Sequence, residues 1–280
     1  MPASITHELI ARAALEELPK KIAEQIYEAP DYYFLGSQGP DLFFFYRPIA
    51  ERENNFGRHL HGNHVLEWFS AMLSALPNYA GEEFENCLAY ALGFCTHLSA
   101  DAAFHPFVYN YLKSIESSRF SHQEIENDWD VYFLKKLRGK SARGYEYPYD
   151  LKKIAEDGVL FRFVQEAAGS FGWEIHASAF RRMCKGFAVY LKHFHTPHAR
   201  LLRPFGFSEF YPREEPSPCV LKGKRFSEFS EGKGANADEL FRHAVDESIL
   251  RIYAFMNAFN GGKQLPEELF SVHMLTGKRI

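Results

Sequence analysis

The chain has 280 residues, 46% of them hydrophobic and 16% aromatic, including 27 Phe and 15 Tyr. That is enough apolar material for a substantial core, which excludes extended disorder as the dominant state. A formal net charge of -4 and a sequence pI near 6.4 exclude a large basic footprint and speak against nucleic acid as a partner.

The opening segment, MPASITHELIARAALEELPKK, has no basic start followed by an apolar run. It reads as an amphipathic helix with the stripe Ile5, Leu9, Ile10, Ala13, Ala14 and Leu18, capped by Ser4 or Thr6. The expectation is a chain without a signal peptide, resident in the cytoplasm. A turn-rich stretch, Leu35 to Asp41, leads into the aromatic run Phe43, Phe44, Phe45 and Tyr46, and Glu51 to Asn63 reads as a polar loop. Helical patterns follow at about Val65 to Leu76 and Gly81 to Phe104, the second ended by Pro106. Ser121 to Leu137 is a further helix, and Gly139 to Tyr149 a loop rich in Gly, Pro and Tyr. Leu151 to Ala168, Ile175 to Phe194 and Asp238 to Phe259 complete the helices, with Thr196 to Asn236 a long irregular segment of the kind that forms a lid or a loop over the core.

No series of strands, internal repeat or transmembrane segment of ~20 apolar residues is visible. The reading is an all-α, multi-helix bundle in which residues 1–280 form one helical metal-binding domain. The cysteines Cys87, Cys95, Cys184 and Cys219 form no CxxC pair, so they predict free thiols and neither a zinc ribbon nor a redox motif.

Thirteen histidines are many for this length, and seven of them (His7, His59, His61, His64, His97, His105, His122) lie in the first half. The strongest signal is GFCTHLSADAAFHP, Gly93 to Pro106, which spaces His97, Asp101 and His105 four residues apart. Each step of four turns the side chain by only ~40°, so the three share one helix face. Apolar residues flank them, and a buried carboxylate between imidazoles is costly unless a cation sits there, which suits zinc. In SHQEIENDWD, His122 and Glu126 repeat the spacing, and Asp130 continues the row as a partner to orient His122. Asp41 stands at the mouth of the aromatic run as a helix cap or a site residue. Of His59, His61 and His64, one or two at most can face a metal; His193, His195 and His198 read more simply as a polar helix end.

In chain order, THELIARAALEEL with His7, GSQGPDLFFFY with Asp41, GRHLH with His61, GFCTHLSADAAFHP and SHQEIE resemble the zinc-dependent phospholipases C. Bacterial phospholipases C and the catalytic domain of GPI-specific phospholipase D share this order of motifs. The resemblance spans about residues 3–135 and leaves 136–280 as a helical, loop-rich remainder. It implies a bundle of the phospholipase C and P1 nuclease type with two or three zinc ions. His97 and Asp101 would join Asp41 and His61 on one ion; His105, His122 and Glu126 would hold a second; His7 would hold a third with Asp101 bridging. In the family that third ion also uses the processed N-terminal residue, whereas here His7 lies a few residues from Met1 and no Trp stands at the start.

The implied function is hydrolysis of a phosphate ester, a phospholipid or other small phosphodiester, with Asp41 as the group that accepts the proton of water. A nuclease or general phosphoesterase on the same fold, and a helical metal-binding protein without catalysis, are the alternatives. An HD-type phosphohydrolase is set aside because no His-Asp dipeptide occurs.

Overall fold

The computed structural model describes residues 4–46, 55–114, 122–142, 145–194 and 237–280. Among them no strand forms, and the only bridge pairs Val272 with Arg279. In chain order the helices are α1 (Ser4–Glu17), α2 (Lys20–Tyr27), α3 (Pro30–Gly36), α4 (Phe56–His61), α5 (Val65–Ala75) and α6 (Gly81–Ser114). They continue with α7 (His122–Arg138), α8 (Leu151–Asp157), α9 (Val159–Gly169), α10 (Ala177–Phe194), α11 (Ala237–Gly261) and α12 (Glu267–Phe270). A 3-10 turn, Gly39–Phe45, links α3 to the stretch before α4.

The architecture is organised around α6. Residues Cys87 to Phe94 of this helix are buried on every face, as expected of a helix apolar all round. It packs most extensively against α11 and α3. The α3 contact is a backbone-to-backbone crossing: a Cβ on Gly93 would overlap the Tyr33 carbonyl, and one on Gly36 the Tyr90 carbonyl. Only glycine at both positions lets the two axes come this close. Arg251 ties α11 to the same helix, bonding Ser99 Oγ at 2.9 Å, Glu247 at 2.8 Å and the Leu269 carbonyl at 2.8 Å.

The apolar core falls into two clusters. One gathers α2, α3, α5, α8, α9 and α10 around the N-terminal half of α6. The other gathers α1, α7 and α11 around its C-terminal half, with Phe104, Phe107, Trp129 and Phe133 at its centre. Every fully buried side chain of this size contributes roughly 1.5–3 kcal/mol relative to exposure. His97 to His105 occupy the stretch of α6 where the two clusters meet.

Several expectations from the sequence change. Pro106 does not end the helix, which continues to Ser114. A helical proline removes one backbone bond and crowds the carbonyl four residues earlier, here that of Ala102. The space beside that carbonyl is filled by Gly277, where a Cβ would come within 2.6 Å of the Ala102 oxygen. The stretch read as a polar loop holds α4, capped by Asn55, whose side chain accepts from Gly57 N at 2.9 Å, with Phe56 and Leu60 buried. The single helix expected from Leu151 is two, broken at Gly158. Within the aromatic run, Phe43 packs with Phe56 and Trp68, all within 2% of full burial. Apolar rings of that size stabilise most when removed from water, and the core claims them. Thr196 to Asn236, His195, His198 and Cys219 lie outside the described residues, as does the side chain of His193. Cys87, Cys95 and Cys184 are free and buried.

Candidate metal centre

Four elements carry the inner part of the site. α6 supplies His97 and Asp101, α1 supplies His7, α4 supplies His61, and the 3-10 turn supplies Asp41. The turn is shaped for this by Gly39, which has φ of 48° and on which a Cβ would overlap the His97 ring. A residue with a side chain would therefore be strained there and would also push His97 aside.

Asp101 is the hub. Its Oδ1 lies 3.3 Å from His7 Nε2; its Oδ2 lies 3.4 Å from His61 Nε2, 3.3 Å from His97 Nε2 and 3.5 Å from His105 Nδ1. Asp41 Oδ1 reaches His61 Nε2 at 3.2 Å. The rings of His7 and His97 stack with centroids 4.4 Å apart. These side chains are all 5% exposed or less.

The ring orientations are set by backbone carbonyls. His97 Nδ1 donates to the Ser37 carbonyl at 3.1 Å, and His61 Nδ1 to the Gly57 carbonyl at 2.6 Å. A carbonyl only accepts, so each Nδ1 carries the proton and each Nε2 turns a lone pair toward the carboxylates. His97 Nε2, Asp101 Oδ2 and Asp41 Oδ1 are buried without a hydrogen-bond partner. Lone pairs and acidic oxygens facing one another out of water are costly, and a divalent cation removes that cost.

The outer part joins α6 to α7. Glu126 Oε1 lies 3.1 Å from His105 Nε2 and 2.7 Å from His122 Nε2. Here exposure is uneven: Glu126 is 2% exposed and His122 25%, so the cluster meets solvent at His122. Tyr109 stands beside it, its ring 5.1 Å from that of His122 and 6.1 Å from that of His105.

Among the described residues, three triplets of donors have ligand atoms within 4.8 Å of one another: His7, His97 and Asp101; Asp41, His61 and His97; His105, His122 and Glu126. With zinc–nitrogen and zinc–oxygen bonds of about 2.0–2.2 Å, one ion bridges such a span. The donor chemistry, the buried unpartnered atoms and the anchored rings therefore fit zinc.

Electrostatics separate the two parts. Burial lowers the pKa of His97, since desolvation outweighs the pull of Asp101. Burial also acts against charge on His105, but Asp101 and Glu126 outweigh it and push His105 up to about 9. Glu126, opposed by burial, is held down at about 2 by His122 and His105. Burial would raise Asp101, yet His105 and His97 hold it well below the usual carboxylate range.

The model of the family described as zinc dependent phospholipase C matches residues 6–180. The chain belongs to the zinc-dependent phospholipase C family. No curated protein and no solved structure matches it. The matched span includes all eight residues singled out in the sequence and stops before α11.

All eight lie in the cluster, and the histidines left open in the GRHLHGNH stretch separate cleanly. His61 points inward, whereas His59 is exposed with its ring 5.9 Å from that of Trp173, and His64 lies 45% exposed beside Glu67. The expected link from Asp130 to His122 changes. Asp130 accepts from Ile5 N at 3.2 Å, Thr6 N at 2.7 Å and Thr6 Oγ1 at 2.8 Å. It caps the first turn of α1 from across the core and so places His7; neither Ser4 nor Thr6 performs that task. Sequence reasoning also missed Ser37, Gly57 and Met274, whose carbonyls hold His97, His61 and His105. Backbone carbonyls carry no residue-type signal, so no pattern marked them.

Proposed function

We propose that the chain is a zinc-dependent phosphodiesterase of phospholipase C type, acting on a phospholipid or another small phosphodiester. The observation that carries this reading is Asp101, 2% exposed, with two oxygens facing four imidazoles drawn from three helices. Such a carboxylate is a bridging group for closely spaced cations. Asp41, His61, His97 and Asp101 would hold one ion, and His105, His122 and Glu126 a second. His97 Nδ1 is engaged by Ser37, so its Nε2 serves a single ion, and His7 would share a third ion through Asp101.

Bound there, zinc supplies positive charge against the phosphodiester oxygens and makes water more acidic. The chain's own residues set the rest. Asp41 Oδ1, buried and unpartnered, is the acceptor for the proton of the attacking water. Ser37 and Gly57 keep the imidazoles from turning as charge develops. Phe44 lies against His61 at 5.2 Å, and with Tyr109 it limits water at the edges of the cluster. The net charge of -4 favours a lipid or small diester over a polynucleotide.

Hydrolysis of bis(p-nitrophenyl) phosphate should vanish with a chelator and return with zinc. Lecithin vesicles, single-stranded DNA and RNA tested in parallel separate the lipase from a nuclease on the same fold. Zinc-loaded protein inert toward all four substrates would sink the reading in favour of non-catalytic metal binding.

A further inference from the structure

The last ten residues lie outside the span matched by the family. They form a closed turn whose ends meet: Ile280 N donates to the Ser271 carbonyl at 2.9 Å, His273 N to Lys278 at 2.9 Å, and Gly277 N to His273 at 2.8 Å. The turn is fastened to the centre on both parts. Met274 N donates to the His61 carbonyl at 3.0 Å, and the Met274 carbonyl accepts from His105 Nδ1 at 3.4 Å. Gly277 seats it on α6 beside the carbonyl freed by Pro106.

One side chain of this turn remains unused by the proposed chemistry. His273 is partly buried, next in sequence to the residue that bridges His61 and His105. Leu275 N donates to its Nδ1 at 3.2 Å, so that nitrogen is an acceptor. The neutral ring must then carry its proton on Nε2. That atom faces α4, 3.7 Å from where a Cβ on Gly62 would stand, immediately after His61. Burial, with the charges of His61 and His105, lowers the pKa of His273, which agrees with a ring set close to both.

We propose that His273 is a substrate-binding residue, whose Nε2–H donates to an anionic phosphoryl oxygen at the rim of the metal centre. The inference rests on the phosphodiester reading for the identity of its ligand. The physical reason is preorganisation. The tautomer is chosen by the Leu275 amide, and the turn is anchored through Met274 and Gly277, so the donor is placed before substrate arrives. A hydrogen bond to a charged oxygen is worth ~10-fold or more in affinity.

The test uses full-length, zinc-loaded protein, with inorganic phosphate as the probe in titration calorimetry and bis(p-nitrophenyl) phosphate in kinetics. His273→Ala should keep its zinc and weaken phosphate binding by ~10-fold. His273→Gln, which places an amide N–H near the same point, should recover much of that loss. Unchanged phosphate affinity in His273→Ala overturns the inference, and so does loss of zinc, which would make the residue a prop for the ligands. If phosphate binding falls as expected but wild-type protein cleaves no diester, the donor stands and the hydrolase reading fails. If wild type cleaves the diester and His273→Ala matches it in KM and in phosphate affinity, only the donor is lost.

Discussion

The two parts of the metal centre are built on different principles. The inner part, around His97, Asp41, His61 and His7, sits where α1, α3, α4 and α6 converge, with each of these side chains 4% exposed or less. Two of its three rings, His97 and His61, are anchored on backbone carbonyls, those of Ser37 just after α3 and Gly57 within α4. The outer part depends on His122, which is 25% exposed, and on a carbonyl from the far C-terminal turn. Rigid packing of the backbone sets the first group; side chains and a remote turn set the second. The inner group should therefore hold its ion more tightly and exchange it more slowly than the outer group.

The most severe way to erase this distinction is Asp101→Asn, because Asp101 belongs to both parts. Zinc content by elemental analysis should fall in both groups, and diester hydrolysis should drop by at least about 100-fold. Next comes Gly93→Ala, which attacks the inner group through its scaffold. The new Cβ overlaps the Tyr33 carbonyl, backbone that cannot step aside, so denaturant unfolding should show a loss of about 3 kcal/mol. Little or no loss there would mean that the α3–α6 crossing is not the rigid element. His122→Ala sharpens the comparison instead. It should weaken the outer ion by roughly 10- to 100-fold in chelator competition while the inner ion is retained. Equal loss at both would show that the two groups bind as one.

The smallest effect is a pH dependence of the metal-free protein, in which the two parts have opposite signs. His105 has its folded pKa raised to about 9, so its contribution is complete below its ordinary value of 6.5 and is lost as pH rises through about 9. His97 has its folded pKa lowered by burial, so it costs stability as pH falls below 6.5, where the unfolded chain takes up the proton first. Glu126, depressed to about 2, contributes above its ordinary 4.5 and is lost as pH falls toward 2. Denaturant unfolding in chelator from pH 5 to 10 should therefore fall off on both sides of a maximum near 6.5. His105→Gln should flatten the alkaline side alone. A flat alkaline side in wild type would contradict the charged His105 bridge.

The row His97, Asp101 and His105 was legible because a helix repeats nearly every four residues, so spacing alone places the three on one face. The same holds for His122 and Glu126, and the ordered motifs around them were enough to suggest the family. What misled were local rules overridden by tertiary contacts. Pro106 stays inside α6 with Gly277 beside the exposed carbonyl, and α4 forms in a polar stretch because Phe56 and Leu60 bury its inner side. Asp130 shares a face with His122 by spacing, yet it turns to the N-terminal turn of α1, whose unpaired amides attract a carboxylate more strongly.

By itself the amino-acid sequence determined the helical class and the three residues of the α6 row, because both follow from short-range periodicity. The tertiary structure alone decided that His61 and not its neighbours faces the cluster. It also decided which carbonyls hold His61, His97 and His105, and that the C-terminal turn bonds to both His61 and His105. Those outcomes depend on close approach between segments far apart in the chain, where backbone groups do the holding and leave no trace in residue type.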